Sequence, residues 1–198
     1  AAPVIPVLTI DRVQDAQPLA RALVAGGLPA LEITLRTDAA MEAIAAVAEV
    51  EGALAGVGTL LTTAQIRDAK SAGATFGVSP GATDSIIKAA QDYDLPLLPG
   101  AATATEAMRL LEQGFVFQKF FPAEAAGGAP ALGSMAGPLP QITFCPTGGV
   151  TPENAKTYLT LPNTRCVGGS WIAPKALIDA GDWDQITQIA RRAADLLA

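Results

Sequence analysis

Ala30-Leu31-Glu32-Ile33-Thr34-Leu35-Arg36 is followed by the alanine-rich stretch 40–51 and then by Leu54-Ala55-Gly56-Val57-Gly58-Thr59-Leu60. The outer pieces are short β-rich runs and the middle one is amphipathic at helical spacing, which makes a strand–helix–strand unit. A helix-length crossover makes the two strands parallel. The same alternation runs outward in both directions. Further strands are read at residues 4–10, 75–79, 96–99, 115–121, 141–146 and 165–168, and further helices at 13–25, 64–72, 84–92, 104–113 and 184–197. Thr37, Thr63, Thr83, Thr103 and Thr151 stand where helix caps are needed, and Pro152 suits a first helical position. Eight strand–helix units are the number that closes a (β/α)8 barrel, and 198 residues is near the lower size limit of that fold. The expected architecture is an α/β TIM barrel, a single domain over residues 1–198. A doubly wound open sheet competes but usually has fewer strands.

Composition narrows the chemistry. Histidine is absent, which removes imidazole acid–base catalysis and His metal sites, so no metal is expected. The two cysteines, Cys145 and Cys166, share no CxxC spacing and read as buried free thiols of a reducing cytoplasm. The net charge of −6 comes without basic clusters, which argues against nucleic acid as a partner. Pro, Gly or a charge interrupts every apolar run, so no membrane span is expected. With neither a signal peptide nor an initiator Met, the start at Ala1 reads as processed or trimmed.

In a barrel the strand ends meet on one rim, where active sites of this fold lie. Arg36, Thr59, Pro80, Gly100, Lys119, Thr147 and Ser170 each close a strand. Glu32, Thr34 and Arg36 alternate with Leu31, Ile33 and Leu35, so the polar set shares one face. A parallel strand is normally apolar on both faces, and a polar face holding Glu and Arg needs a reason. One reason is a structural Glu32–Arg36 ion pair inside the barrel. The other makes Glu32 an acid–base group and Arg36 a carboxylate clamp.

Lys119 sits in Phe117-Gln118-Lys119-Phe120-Phe121-Pro122, an aromatic segment in a chain that is 5% aromatic. Apolar surroundings disfavour an ammonium, and a neutral lysine amine can attack a carbonyl to form a Schiff base. A lysine snorkelling from a strand end to water fits the segment equally well. Thr147-Gly148-Gly149 and Gly168-Gly169-Ser170 close the last two strands. Glycines let a phosphate approach backbone amides, and the loops after strands seven and eight are the usual phosphate site of this barrel class. Amine, carboxylate, arginine and phosphate cradle together suit a phosphorylated 2-keto acid bound as an imine. A non-covalent phosphate-binding barrel isomerase and a sugar-phosphate sensor use the same parts without a reactive lysine.

The segments 31–37, Gly56-Val57-Gly58-Thr59, Ser79-Pro80-Gly81, Lys119-Phe120-Phe121-Pro122-Ala123-Glu124, Phe144-Cys145-Pro146-Thr147-Gly148-Gly149 and Gly168-Gly169-Ser170-Trp171 resemble the 2-keto-3-deoxy-6-phosphogluconate (KDPG) and 2-keto-4-hydroxyglutarate aldolase family. The resemblance runs in order over essentially the whole chain. It implies a class I aldolase that cleaves KDPG to pyruvate and glyceraldehyde 3-phosphate in the Entner–Doudoroff pathway. Sister aldolases acting on 2-keto-4-hydroxyglutarate or on the 6-phosphogalactonate epimer share the machinery. By this resemblance Lys119 forms the Schiff base and Glu32 is the acid–base. Arg36 and Thr59 hold the pyruvyl carboxylate, Pro80 and Phe121 line the pocket, and Thr147 governs stereochemistry. Gly148, Gly149, Gly169 and Ser170 hold the phosphate. A cytoplasmic homotrimer without metal is implied as well. Relatives usually carry a short helical extension before the first strand, whereas this sequence opens almost directly at Pro3-Val4.

Overall fold

The computed structural model describes residues 2–197, so the reading of the chain start at Ala1 lies outside the described residues. Strand and helix alternate along most of the chain. The first half runs β1 (Val4–Leu8), α1 (Val13–Ala25), β2 (Ala30–Thr34), α2 (Ala40–Ala48), β3 (Leu54–Gly58), α3 (Thr63–Ser71), β4 (Phe76–Val78) and α4 (Asp84–Asp92). The second half runs β5 (Leu97–Leu98), β6 (Gly100–Ala101), α5 (Ala104–Glu112), β7 (Phe117–Phe120), α6 (Gly128–Ser134), β8 (Thr143–Pro146), α7 (Pro152–Leu159), β9 (Val167–Gly169), α8 (Lys175–Ala180) and α9 (Trp183–Ala194).

All the strand pairs are parallel. Six strands form a curled sheet in the order β5-β4-β3-β2-β1-β9, and three form a second sheet, β6-β7-β8. The fold is therefore α/β with a curled parallel sheet of six strands. Of the fifth strand expected at 96–99 the structure keeps β5, in the first sheet, and a further strand, β6, starts just beyond it in the second. Pro99 separates the two because proline has no N–H to give to a ladder, while its carbonyl still accepts from Lys119 N at 2.8 Å. At the other seam β8 and β9 meet through single bridges, Phe144 with Thr164 and Thr147 with Gly168.

Helix starts follow local chemistry. Thr83, Thr103 and Thr151 cap α4, α5 and α7 as expected. In α3 the cap is Thr62 rather than Thr63, because its hydroxyl reaches Gln65 N and the Gln65 side chain reaches back, a reciprocal pair. Thr37 does not cap α2; its hydroxyl donates to Ile10 O at 2.6 Å and ties the loop after β2 to the loop after β1. The short helices α6 and α8 carry too little apolar periodicity to be read from sequence.

The large core lies between sheet and helices, from Val4 and Leu8 through Ile33, Phe120 and Phe144 to Ile186 and Ala190. A smaller cluster of Val78, Leu98, Cys145 and Cys166, with Ile5 and Phe76 against it, fills the inner face of the curled sheets. Strand alternation divides the two: in β8, Phe144 joins the outer core and Cys145 the inner one. Polar residues on the inner face of β2 and β7 are thereby delivered to one place. Among the described residues no helix is long and apolar enough to cross a membrane.

Candidate active site

Glu32 on β2 and Lys119 on β7 are 87 residues apart in sequence, yet Lys119 Nζ donates to Glu32 Oε1 at 3.5 Å. Their side chains are 4% and 6% exposed, a buried pair of opposite charges. Such a pair costs desolvation, and breaking it leaves an uncompensated charge, so it persists only with good geometry or a function. Two glycines make the room. A Cβ at Gly58 would lie 2.3 Å from Glu32 Oε1, and one at Gly168 would lie 2.3 Å from Thr147 Oγ1.

The ring of Phe121 covers the amine, its centroid 5.0 Å from Lys119 Nζ. A cavity of about 190 Å³ opens beside it, lined among others by Arg36, Lys119, Phe121, Thr147, Gly148 and Ser170. Seven residues expected at the site line this cavity: those six and Gly149. Glu32 reaches the site through its contact with Lys119. Among the described residues Arg36 makes no ion pair, so the alternative of a structural Glu32–Arg36 bridge is replaced by Glu32–Lys119. Arg36 is exposed at the end of the β2 strand, its guanidinium available to an anion.

Thr59, Pro80 and Gly169 stand outside the cavity lining. Thr59 follows β3 with φ of +61°, an uncommon conformation for a β-branched residue, and strain of this kind gathers at functional sites. Pro80 follows β4 and its carbonyl packs so closely on Gly100 that a Cβ there would lie 2.2 Å away. Gly169 is covered by the Trp171 ring. Val7, Val150 and Gly168 line the cavity without having been singled out as site residues, since an isolated Val carries no chemical signal.

The two glycines after Thr147 both have positive φ, +98° at Gly148 and +77° at Gly149. Among the described residues, the amides of Gly148, Gly149 and Val150 donate to no acceptor. Successive free amides in such a turn make an anion-binding concavity. Below the site, the hydrogen bond to Cys166, and then burial, push the Cys145 thiol well above the usual range. That thiol is a neutral floor to the site rather than a nucleophile.

The arrangement sets a primary amine beside a buried carboxylate, and lines one small cavity with that amine, an arginine and an amide-bearing turn. The model of the family described as KDPG and KHG aldolase matches residues 1–189. The chain belongs to this family. It is 49% identical over 192 residues to the 2-dehydro-3-deoxy-phosphogluconate aldolase of Pseudoalteromonas atlantica, covering 96% of this chain and 89% of that relative. It is 47% identical over 194 residues to the KHG/KDPG aldolase of Escherichia coli K12, covering 98% and 91%. Among solved structures, the KDPG aldolase of Legionella pneumophila superposes with a TM-score of 0.95 at 46% identity, covering 98% of this chain and 95% of that one. That structure holds pyruvate captured at low pH as a covalent carbinolamine intermediate.

Proposed function

We propose that this chain is a class I aldolase that cleaves KDPG to pyruvate and glyceraldehyde 3-phosphate through an imine on Lys119. The observation that carries the reading is the buried Lys119–Glu32 pair, 3.5 Å apart, whose amine lines one cavity together with a turn of free amides. Glu32 takes a proton from the Lys119 ammonium, the freed amine adds to the C2 ketone, and Glu32 returns that proton to the carbinolamine hydroxyl, which leaves as water and gives an iminium. Glu32 then takes the C4 hydroxyl proton and the C3–C4 bond breaks. The electron pair of that bond moves into the iminium, giving an enamine, and the C4 oxygen becomes the aldehyde of glyceraldehyde 3-phosphate. Glu32 returns the proton to C3, and hydrolysis of the iminium releases pyruvate and restores the Lys119 ammonium. The carbinolamine trapped in the Legionella relative is the first intermediate of this sequence.

The other roles belong to the same proposal. Arg36 and Thr59 hold the pyruvyl carboxylate, Pro80 and Phe121 wall the pocket, and Thr147 stands beside the aldehyde carbon and sets its stereochemistry. Gly148, Gly149, Gly169 and Ser170 hold the phosphate. The electron sink is the lysine imine, so no metal is assigned to the reaction. The two sheets are read as one domain and one closed (β/α)8 barrel, supported by the continuity of the chain through Pro99 and by the bridges between β8 and β9. A cytoplasmic homotrimer rests on the family resemblance, and sedimentation mass tests the assembly. A second substrate, 2-keto-4-hydroxyglutarate, is supported by the name of the Escherichia coli relative.

The decisive experiment is intact-protein mass after incubation with pyruvate and borohydride, followed by peptide mapping. One reduced pyruvyl adduct on Lys119 is expected. A folded protein without adduct overturns the Schiff base and favours a non-covalent phosphate-binding barrel.

A further inference from the structure

Three consecutive peptide units make the turn after β8, and each has its carbonyl captured from behind. Ala123 N donates to Thr147 O at 2.8 Å and Glu124 N to Gly148 O at 3.0 Å. Asn154 Nδ2 donates to Gly149 O at 3.1 Å. In a planar trans peptide the C=O and N–H point in opposite directions. Fixing the three carbonyls on one side therefore turns the amides of Gly148, Gly149 and Val150 to the other. Among the described residues those three amides have no acceptor, and all three residues line the cavity.

The capturing groups are themselves braced. Tyr158, 1% exposed, donates its hydroxyl to Glu124 Oε1. Burial first, then this hydrogen bond, raise the Tyr158 pKa, so the phenol stays a donor. The Glu124 stem lies flat on the turn, where a Cβ at Gly149 would come within 2.6 Å of its Cγ. Asn154 has its orientation fixed from its other end, since Oδ1 accepts from Thr151 N at 2.8 Å in the cap of α7. Its amide nitrogen is thereby committed to Gly149 O.

We propose that Asn154 and Glu124, the latter held by Tyr158, are positioning residues that preset the Gly148–Val150 amides for a phosphate monoester. This rests on the reading of that turn as the phosphate site. Neither residue touches the ligand; both act through the carbonyls of the turn. The Glu124 carboxylate, which alone would repel a phosphate, is aimed at Tyr158.

The test compares wild type, Asn154→Ala and Tyr158→Phe in three measurements: KM and kcat with KDPG, the same with unphosphorylated 2-keto-3-deoxygluconate, and inhibition by inorganic phosphate. Asn154→Ala is expected to raise KM for KDPG and Ki for phosphate about tenfold, the scale of one charge-assisted hydrogen bond. Tyr158→Phe should move both about threefold in the same direction. In each variant kcat and KM for the unphosphorylated acid should stay within about twofold, because lost uniform binding appears in KM. The lost α7 cap shows separately as a lower melting temperature of Asn154→Ala. If phosphate inhibits wild type and both variants alike, or if both substrates weaken equally, the positioning role is overturned while the phosphate site stands. If wild type neither distinguishes the two substrates nor responds to phosphate, the phosphate site falls and this inference with it.

Discussion

Gly58 leaves free the space that the Glu32 carboxylate occupies: a Cβ at residue 58 would lie 2.3 Å from Oε1 and 2.6 Å from Cγ. The two residues are neighbours across β2 and β3, where Thr34 pairs with Gly58. The obstructed atoms are the far end of a flexible side chain, so Gly58→Ala should fold and turn Glu32 away from Lys119. The expected result is a fall in kcat of roughly 10² to 10⁴, the range of one acid–base group, with pyruvate still trapped by borohydride. Wild-type turnover in Gly58→Ala would show that the carboxylate does not have to sit there.

Lys119 and Glu32 should separate by chemistry. Lys119→Ala removes the atom proposed to bond to the ketone, so cleavage and pyruvate proton exchange should both vanish in a protein with unchanged circular dichroism. Glu32→Gln keeps the side-chain shape, so imine trapping should persist while cleavage slows by roughly 10² or more. Full activity in either variant counts against its assigned role.

Ser170 closes β9, and among the described residues its hydroxyl has no hydrogen-bond partner. A hydroxyl left free at the cavity wall suits a phosphate oxygen. Ser170→Ala should raise KM for KDPG about ten- to a hundredfold, the value of one hydrogen bond to a charged group, with kcat little changed. An equal rise for unphosphorylated 2-keto-3-deoxygluconate would place Ser170 away from the phosphate.

The sequence carried the site further than it carried the sheet. Glu32, Arg36, Lys119 and Thr147 announce themselves because charge or hydroxyl on a parallel strand violates the apolar pattern, and strand alternation then fixes the face each one shares. The pairing of Glu32 with Lys119 rather than Arg36 was not legible. It depends on the curl that brings β2 opposite β7, which no local pattern encodes. Pro99 was visible as a residue but not as a seam, because its effect lies in a missing ladder bond to a neighbouring strand. The helix start was read from Thr151 and Pro152, and Asn154 was not singled out, because its bond to Gly149 O appears once the turn is folded against α7.

Thr59 carries backbone strain at a position proposed to hold the pyruvyl carboxylate. A β-branched residue at φ of +61° costs about 1–3 kcal/mol, and glycine at that position removes the strain while adding about 0.5–1 kcal/mol of unfolded-state entropy. Thr59→Gly should therefore be more stable than wild type by about 1 kcal/mol, read as a higher denaturation midpoint at unchanged slope. It also loses the hydroxyl assigned to the pyruvyl carboxylate, so KM for pyruvate in proton exchange should rise several-fold. A less stable variant would mean that Thr59 makes contacts worth more than its strain.

Cys145 and Cys166 belong to the inner cluster with Val78 and Leu98, and both are buried. The thiolate is the reactive form of cysteine. The Cys145 thiol is held neutral first by its hydrogen bond to Cys166 and then by burial, with the nearby Lys119 charge acting in the opposite direction as a lesser influence. Reaction with an aromatic disulfide reagent at pH 8 should therefore be negligible in the native protein. It should reach two equivalents in denaturant, where both thiols are exposed to the reagent. Native labelling, if seen, must pass through opening of the inner core, so its rate should level off as reagent concentration rises. A rate that instead grows in proportion to reagent would show that Cys145 or Cys166 is reachable from the active-site cavity in the closed protein. The floor beneath Lys119 would then be open rather than packed.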